Sequence, residues 1–158
     1  MSLSPKCLSL INDELTSFEA DYQQYYLDGE TKPKNIGEPF ILHHPSSNKG
    51  VLLIHGLMAA PEEVREWAEF LFAQGYTVYA PRMKGHGTSA DDLSARQMSE
   101  WLVSVNRGHE ILKCCCERIV IAGFSTGAAV ALHQVIKKPE AFDSLISISA
   151  PLKFKKIS

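Results

Sequence analysis

Residues 118–127 read RIVIAGFSTG. Ile119, Val120, Ile121 and Ala122 form the short apolar run of a strand buried on both faces. Gly123 to Gly127 then spell G-x-S-x-G, and residues 128–138, AAVALHQVIKK, have the composition of a helix closed by Pro139. The stretch predicts a strand, a sharp turn and a helix, with Ser125 at the apex. A serine hydroxyl is a poor nucleophile until the fold exposes its oxygen beside a base, and a tight strand-to-helix turn does the exposing. Such a turn leaves no room for side chains two residues before and two after the serine, which are the places of Gly123 and Gly127. Three fixed Gly and Ser positions recur by chance in about one chain in twenty of this length. The pentapeptide therefore draws its weight from its flanks, and the competing reading is a Gly-rich turn with an idle serine.

Outward from this stretch, strands alternate with helices. Phe40–His43 and Val51–His55 read as strands around a turn at Ser46–Gly50, and Tyr76–Ala80 and Leu145–Ser149 as two more. Pro61 opens a helix with Glu62 and Glu63 in its first turn, Val64, Trp67, Ala68 and Leu71 on its buried face, and Gly75 at its end. Ser94 and Gln97 have the spacing of a capping box for a helix to about Cys114, with Met98, Trp101, Leu102, Val105 and Leu112 as its stripe. Helices of this length between strands imply right-handed crossovers and a mainly parallel sheet, so the fold class is α/β. Before this region, Ser4-Pro5 caps a helix to about Leu27, stopped by Gly29. Its stripe of Ile11, Leu15, Phe18, Tyr22 and Tyr25 packs either on the body of the chain or on a partner. The expected organisation is an N-terminal helical extension and linker over 1–36 and a partial α/β domain over 37–158.

The 158 residues are 45% hydrophobic and 22% charged, with net charge −2 and pI near 6.3. Mild acidity argues against nucleic acid or anionic membrane as partner. No stretch approaches the roughly 20 apolar residues of a membrane span, and the first thirty lack the pattern of a signal peptide, so a cytoplasmic location is expected. Cys114, Cys115 and Cys116 are consecutive and Cys7 stands alone, which gives neither metal-ligand spacing nor a disulfide framework. Reduced thiols at a helix end are the plain reading, and a redox or acylation role for the triplet is the other. No metal and no cofactor are expected.

Four ordered stretches, PFIL at 39–42, VLLIHGLMAAPEEV at 51–64, GYTVYAPRMKGHGTS at 75–89 and IVIAGFSTGAAVAL at 119–132, together resemble the α/β-hydrolase superfamily, and within it bacterial carboxylesterases and monoacylglycerol-lipase-like serine hydrolases. The likeness covers residues 37–152. It implies a sheet flanked by helices, truncated after about the sixth strand of the family, and an acyl-enzyme on Ser125. The backbone N–H groups of Leu57 and Thr126 would form the oxyanion hole. His55, Gly56 and His86 would support the site loops, with His55 orienting a loop rather than acting as base. Ala128 stands where many relatives have a further glycine.

The same resemblance requires a carboxylate and a histidine after the serine. His133, Glu140 and Asp143 follow it, but His133 lies about 12 Å down the next helix at 1.5 Å per residue and Asp143 precedes the last strand. No triad assembles from them, so the acid and base are expected in a C-terminal half absent from the chain. Two functions follow as expectations. One is a serine carboxylester hydrolase acting on a small ester or monoacylglycerol-like substrate. The other is a non-catalytic truncated module that associates, with itself or a partner, through the edge strand at 145–149.

Overall fold

A computed structural model of the chain describes residues 2–151. Its sheet has the order β1-β3-β2-β4-β5, with β1 at Phe40–Leu42, β2 at Lys49–Ile54, β3 at Thr77–Ala80, β4 at Arg118–Phe124 and β5 at Ser144–Ile148. Among the described residues only the β1–β3 pairing is antiparallel; β2–β3, β2–β4 and β4–β5 are parallel. The helices are α1 (Pro5–Tyr25), the single turn α2 (Lys34–Gly37), α3 (Arg65–Ala73), the short α4 (Ala90–Ser94), α5 (Met98–Lys113) and α6 (Thr126–Lys137).

Alternate residues of β2 feed two cores, as the period of a strand requires. Leu52 and Ile54 pack with Tyr79, Ile121, Val105, Ile111, Leu112 and Val130 beneath α5 and α6. Val51 and Leu53 pack with Val78, Ala80, Val64 and Ala68 beneath α3. Both faces of the central strands are thus covered, which is why their sequences read as continuous apolar runs. The outer strand β5 is largely exposed, with Ile146 at 41% and Ile148 at 39%.

α1 packs on the body of the chain rather than standing free. Its Ser4 side chain accepts from the Cys7 N–H at the N-cap, and its buried line is Cys7, Phe18 and Asp21, with Ile11 against the core. Leu15, expected on that line, is 36% exposed. Asp21 joins the buried face because Arg82 and Lys84, on the loop after β3, both bond its carboxylate, Lys84 at 2.7 Å. Arg82 lies over the Phe18 ring at 5.1 Å. α1 shares its face of the sheet with α5 rather than covering α3, whose Trp67 and Leu71 are half-buried against the second core.

Several boundaries differ from the sequence reading. Pro61–Val64 is a 3-10 turn, and the α-helix begins only at Arg65. The capping box at α5 is Gln97 with Glu100, whose carboxylate accepts from the Gln97 N–H at 2.9 Å; Ser94 belongs to the end of α4, where its hydroxyl donates to Asp91 O at 3.0 Å. Met98, the first residue of α5, is 43% exposed instead of part of its stripe. The helix after the elbow starts at Thr126, two residues earlier than composition suggested. Nor does Cys7 stand alone, since it packs in the cluster that holds Cys116, against Cys114 and Cys115.

Candidate active site

Ser125 occupies φ 53°, ψ −121° between the end of β4 and the start of α6. A side chain in this region costs about 1–3 kcal/mol of backbone strain. The surroundings hold it there: the Ser125 N–H donates to Ile148 O at 2.9 Å, and its carbonyl accepts from Ala128 and Ala129 at 3.0 and 3.2 Å. The two glycines are required by close approach. A Cβ at Gly123 would lie 2.4 Å from Gly127 O, and one at Gly127 would lie 2.3 Å from His55 O. The helix start is therefore pressed against both β4 and the end of β2. The Ala128 methyl, by contrast, is accommodated in full burial.

The close fit brings the turn after β2 beside the serine. A Cβ built on Gly56 would stand 3.6 Å from Ser125 Cβ and 3.6 Å from a Glu63 carboxylate oxygen. That carboxylate accepts from the Gly56 N–H at 3.1 Å. His55 holds the other side of the turn. Its Nε2 accepts from the Met83 N–H at 3.2 Å, which leaves the ring proton on Nδ1, and Nδ1 donates to Gly56 O at 2.9 Å. The Gly56–Leu57 peptide is trans, so fixing its carbonyl also fixes its N–H, which points the opposite way. Among the described residues neither the Leu57 nor the Thr126 amide donates a hydrogen bond.

His55 is fully buried, and burial, aided by neighbouring His86 and Arg82, pushes it down to about 3. It is neutral at physiological pH. His86 meets it edge-on, with ring centroids 4.9 Å apart, and meets Trp101 edge-on in turn. The His86 Nδ1 donates to Met83 O at 3.0 Å, Arg82 donates to His86 O, and burial lowers the His86 pKa as well. Both histidines thus tie the loop after β3 to the turn after β2. Neither contacts Ser125 by any hydrogen bond among the described residues.

His133 sits on α6 eight residues beyond the serine, about 12 Å along the axis. Asp143 accepts from the Ile119 N–H at 2.7 Å and from Arg118, at the start of β4. Ser125 follows the other end of that strand, roughly 20 Å away at 3.3 Å per residue. Glu63, read in sequence only as a charge favourable to a helix start, is the carboxylate the fold brings beside the turn. Its signal was weak, because one acidic residue in a first helical turn is ordinary.

Two clefts flank these elements. One of about 630 Å³ opens beyond Leu57 and Met58, with His86, Thr88 and Leu93 among its walls; Met58 is 84% exposed. The other, of about 340 Å³, lies between Glu63, Val64 and Trp67 on one side and Phe124 and Ile148 on the other. The described residues include no cluster of His, Cys, Asp and Glu able to hold a metal ion, and no helix long and apolar enough to cross a membrane.

Comparison with known proteins agrees with this architecture. Residues 45–157 match the serine aminopeptidase S33 family. The chain is 37% identical over 103 residues to the thermostable monoacylglycerol lipase of Bacillus sp. strain H-257, an alignment covering 65% of this chain and 40% of the lipase. It is 31% identical over 109 residues to a carboxylesterase of Bacillus subtilis strain 168, covering 68% and 44%. Among solved structures, one of the metagenome-derived lipolytic enzymes LipS and LipT superposes with a TM-score of 0.72 at 29% identity, covering 84% of this chain and 50% of the other. The monoacylglycerol lipase of Paleococcus ferrophilus shares the fold, with a TM-score of 0.65 at 20% identity. The chain spans less than half the length of the two curated relatives.

Proposed function

This chain belongs to the serine aminopeptidase S33 family of α/β-hydrolases, and we propose that its activity is carboxylic ester hydrolysis through an acyl-enzyme on Ser125. The observation that carries the proposal is the strained Ser125 at a strand-to-helix elbow whose glycines meet backbone on both sides. In the proposed mechanism the Ser125 oxygen attacks the ester carbonyl, and the Leu57 and Thr126 amides receive the negative charge that develops on the carbonyl oxygen. The Thr126 amide also carries the positive end of the α6 dipole. Each such donor is worth on the order of a hundredfold or more in rate. Preorganisation of the Leu57 donor falls to His55 and Glu63, which grip the two polar groups of Gly56. The general base and its carboxylate come from outside residues 2–151.

A substrate with a small acyl group or a monoacylglycerol-like chain fits this reading, with the exposed Leu57 and Met58 and the cleft beyond them receiving apolar carbons. The names of the lipase and carboxylesterase relatives support the same class. A fluorophosphonate probe tests it, on this chain and on any longer reading frame that contains it. Labelling is expected at Ser125 and lost in Ser125→Ala, and slow in the 158-residue chain, where oxyanion hole and binding act without a base. Labelling that survives Ser125→Ala overturns the assignment.

One observation favours a second reading. Among the described residues β5 leaves an unpaired edge with Ile146 and Ile148 exposed, and it holds no lysine, proline or bulge to discourage another strand. A module that docks through this edge without catalysis would show association but no labelling in any length of chain.

A further inference from the structure

The fold assembles all four cysteines of the chain. Cys7 belongs to the first turn of α1, Cys114 caps the end of α5, and Cys115 and Cys116 follow it. The Cys7 thiol donates to Ile111 O at 3.7 Å, and that same oxygen accepts the Cys114 N–H at 3.1 Å. Cys7 also belongs to the buried cluster against which Cys114 and Cys115 pack, the Cys114 thiol donating to Glu110 O at 3.4 Å and the Cys115 thiol to Leu112 O at 3.6 Å. All four are reduced, Cys7 and Cys116 buried and the other two half-buried. Two segments more than a hundred residues apart thus meet at one carbonyl, which takes the Cys7 thiol and the Cys114 N–H, at the contact between α1 and the body of the chain.

We propose that Cys7 and Cys114 form a reversible oxidation site, at which a low-molecular-weight disulfide such as oxidised glutathione staples α1 to the end of α5. The Cys114 sulfur, half-exposed at the helix end, loses its proton and attacks one sulfur of the exogenous disulfide. That S–S bond breaks, one small thiol leaves, and a mixed disulfide remains on Cys114. Cys7 then attacks the Cys114 sulfur, the bond to the small thiol breaks, and the expelled thiolate takes up the Cys7 proton and leaves as the second small thiol. Two protein thiols are oxidised by two electrons, and the exogenous disulfide is reduced to two thiols.

Pairings that involve Cys116 are less suited. Cys115 and Cys116 stand 3.8 Å apart, but adjacent residues must close a strained ring, outside the usual Cα spacing of about 4.4–6.8 Å. Cys116 points inward, where its sulfur would lie 3.0 Å from a Cβ on Gly50. Burial and the neighbouring thiols push Cys7 up to about 12, so the closing step is slow at neutral pH and quickens as pH rises. The staple would close a loop of roughly 100 residues, which places it among the most stabilising disulfides by chain entropy.

The test uses the whole reduced chain, incubated with oxidised glutathione under native conditions and then blocked with N-ethylmaleimide. Trypsin cuts after Lys6 and Lys113, so Cys7 starts one peptide and the triplet lies in another, CCCER. Expected are loss of two hydrogens with no glutathione retained, a link between these two peptides, and a melting temperature higher by roughly 5–15 °C. Dithiothreitol should reverse all three. Cys7→Ser and Cys114→Ser should each abolish the link and the shift; if Cys7→Ser fails to fold, the helix-end variant Cys114→Ser decides alone. Stable glutathionylation, a disulfide confined to the triplet, a link that persists in Cys114→Ser, or a link formed only in denaturant would each overturn the proposal.

Discussion

Replacing Gly127 by alanine adds one methyl group where the first turn of α6 passes the end of β2. The new Cβ would lie 2.3 Å from His55 O and 2.5 Å from Ile54 O, both backbone atoms that no rotamer change can remove. To reach 3.0 Å, below which real Cβ contacts essentially do not occur, helix and strand must separate by roughly 0.7 Å. Overpacking of this kind costs about 3 kcal/mol, the upper end of its usual range, because backbone rather than side chain must yield. For a chain of this size the melting temperature should fall by about 6–12 °C. The urea midpoint should fall by roughly 1.5 M for a slope near 2 kcal/mol per M. Gly29→Ala is the control: nothing lies within 4 Å of its Cβ, and only its φ of 78° is at issue, so about 1 kcal/mol is expected. Circular-dichroism melts of the three proteins measure both. Gly127→Ala melting within about 1 °C of the parent, or costing less than Gly29→Ala, would refute the close approach of α6 to β2 and with it the geometric case for the elbow.

Asp21→Asn leaves Arg82 buried without its carboxylate and should cost about 3–5 kcal/mol in urea melts. Burial alone would raise the Asp21 pKa, but the hydrogen bonds from Lys84 and Arg82 outweigh it and hold the carboxyl below its usual range. Its contribution is therefore full above about pH 5 and lost as pH falls through the lower folded value, and the variant should lack that part of the acid limb. His55 behaves in the opposite chemical sense: the unfolded chain takes up its proton near 6.5, while the folded chain holds His55 neutral to about 3. Stability should fall as pH drops through this window, by up to about 1.4 kcal/mol per unit; His55→Asn should flatten urea midpoints measured from pH 7 to 4, and parallel curves would count against it. Ile146→Lys, on the exposed edge of β5, should shift any concentration-dependent elution towards monomer, and an unchanged profile would remove that edge from the association.

The centre of the sheet was legible because its chemistry is local. Ile119 to Ala122, the two glycines and Ser125 announce strand, turn and helix within ten residues, and β2 and β3 repeat the apolar signal. Boundaries were less legible where two local signals compete. Ser94 and Gln97 both suit a helix start, and the choice fell to Gln97 because Glu100 lies where it can return the hydrogen bond while Ser94 is spent closing α4. Pro61 announced a helix, but not that its first turn would be 3-10. Contacts between distant segments left no trace in either pattern. Nothing in the α1 stripe marks Asp21 as buried until Arg82 is known to face it, and nothing near Cys7 points to a triplet over a hundred residues away. Likewise, Glu63 gains its place only once Gly56 is folded against it.

The family match begins at residue 45, so a cut near residue 37 would leave that match whole. Yet that cut would strip Cys7 and Phe18 from the inner core and leave Arg82 beneath the surface with no counter-charge. Arg82 also steadies the His86 carbonyl, so the disturbance would reach the loop that holds His55. The stretch that the family match covers and the stretch that folds together are therefore different lengths of chain: α1 lies outside residues 45–157 and is nonetheless a structural member of them.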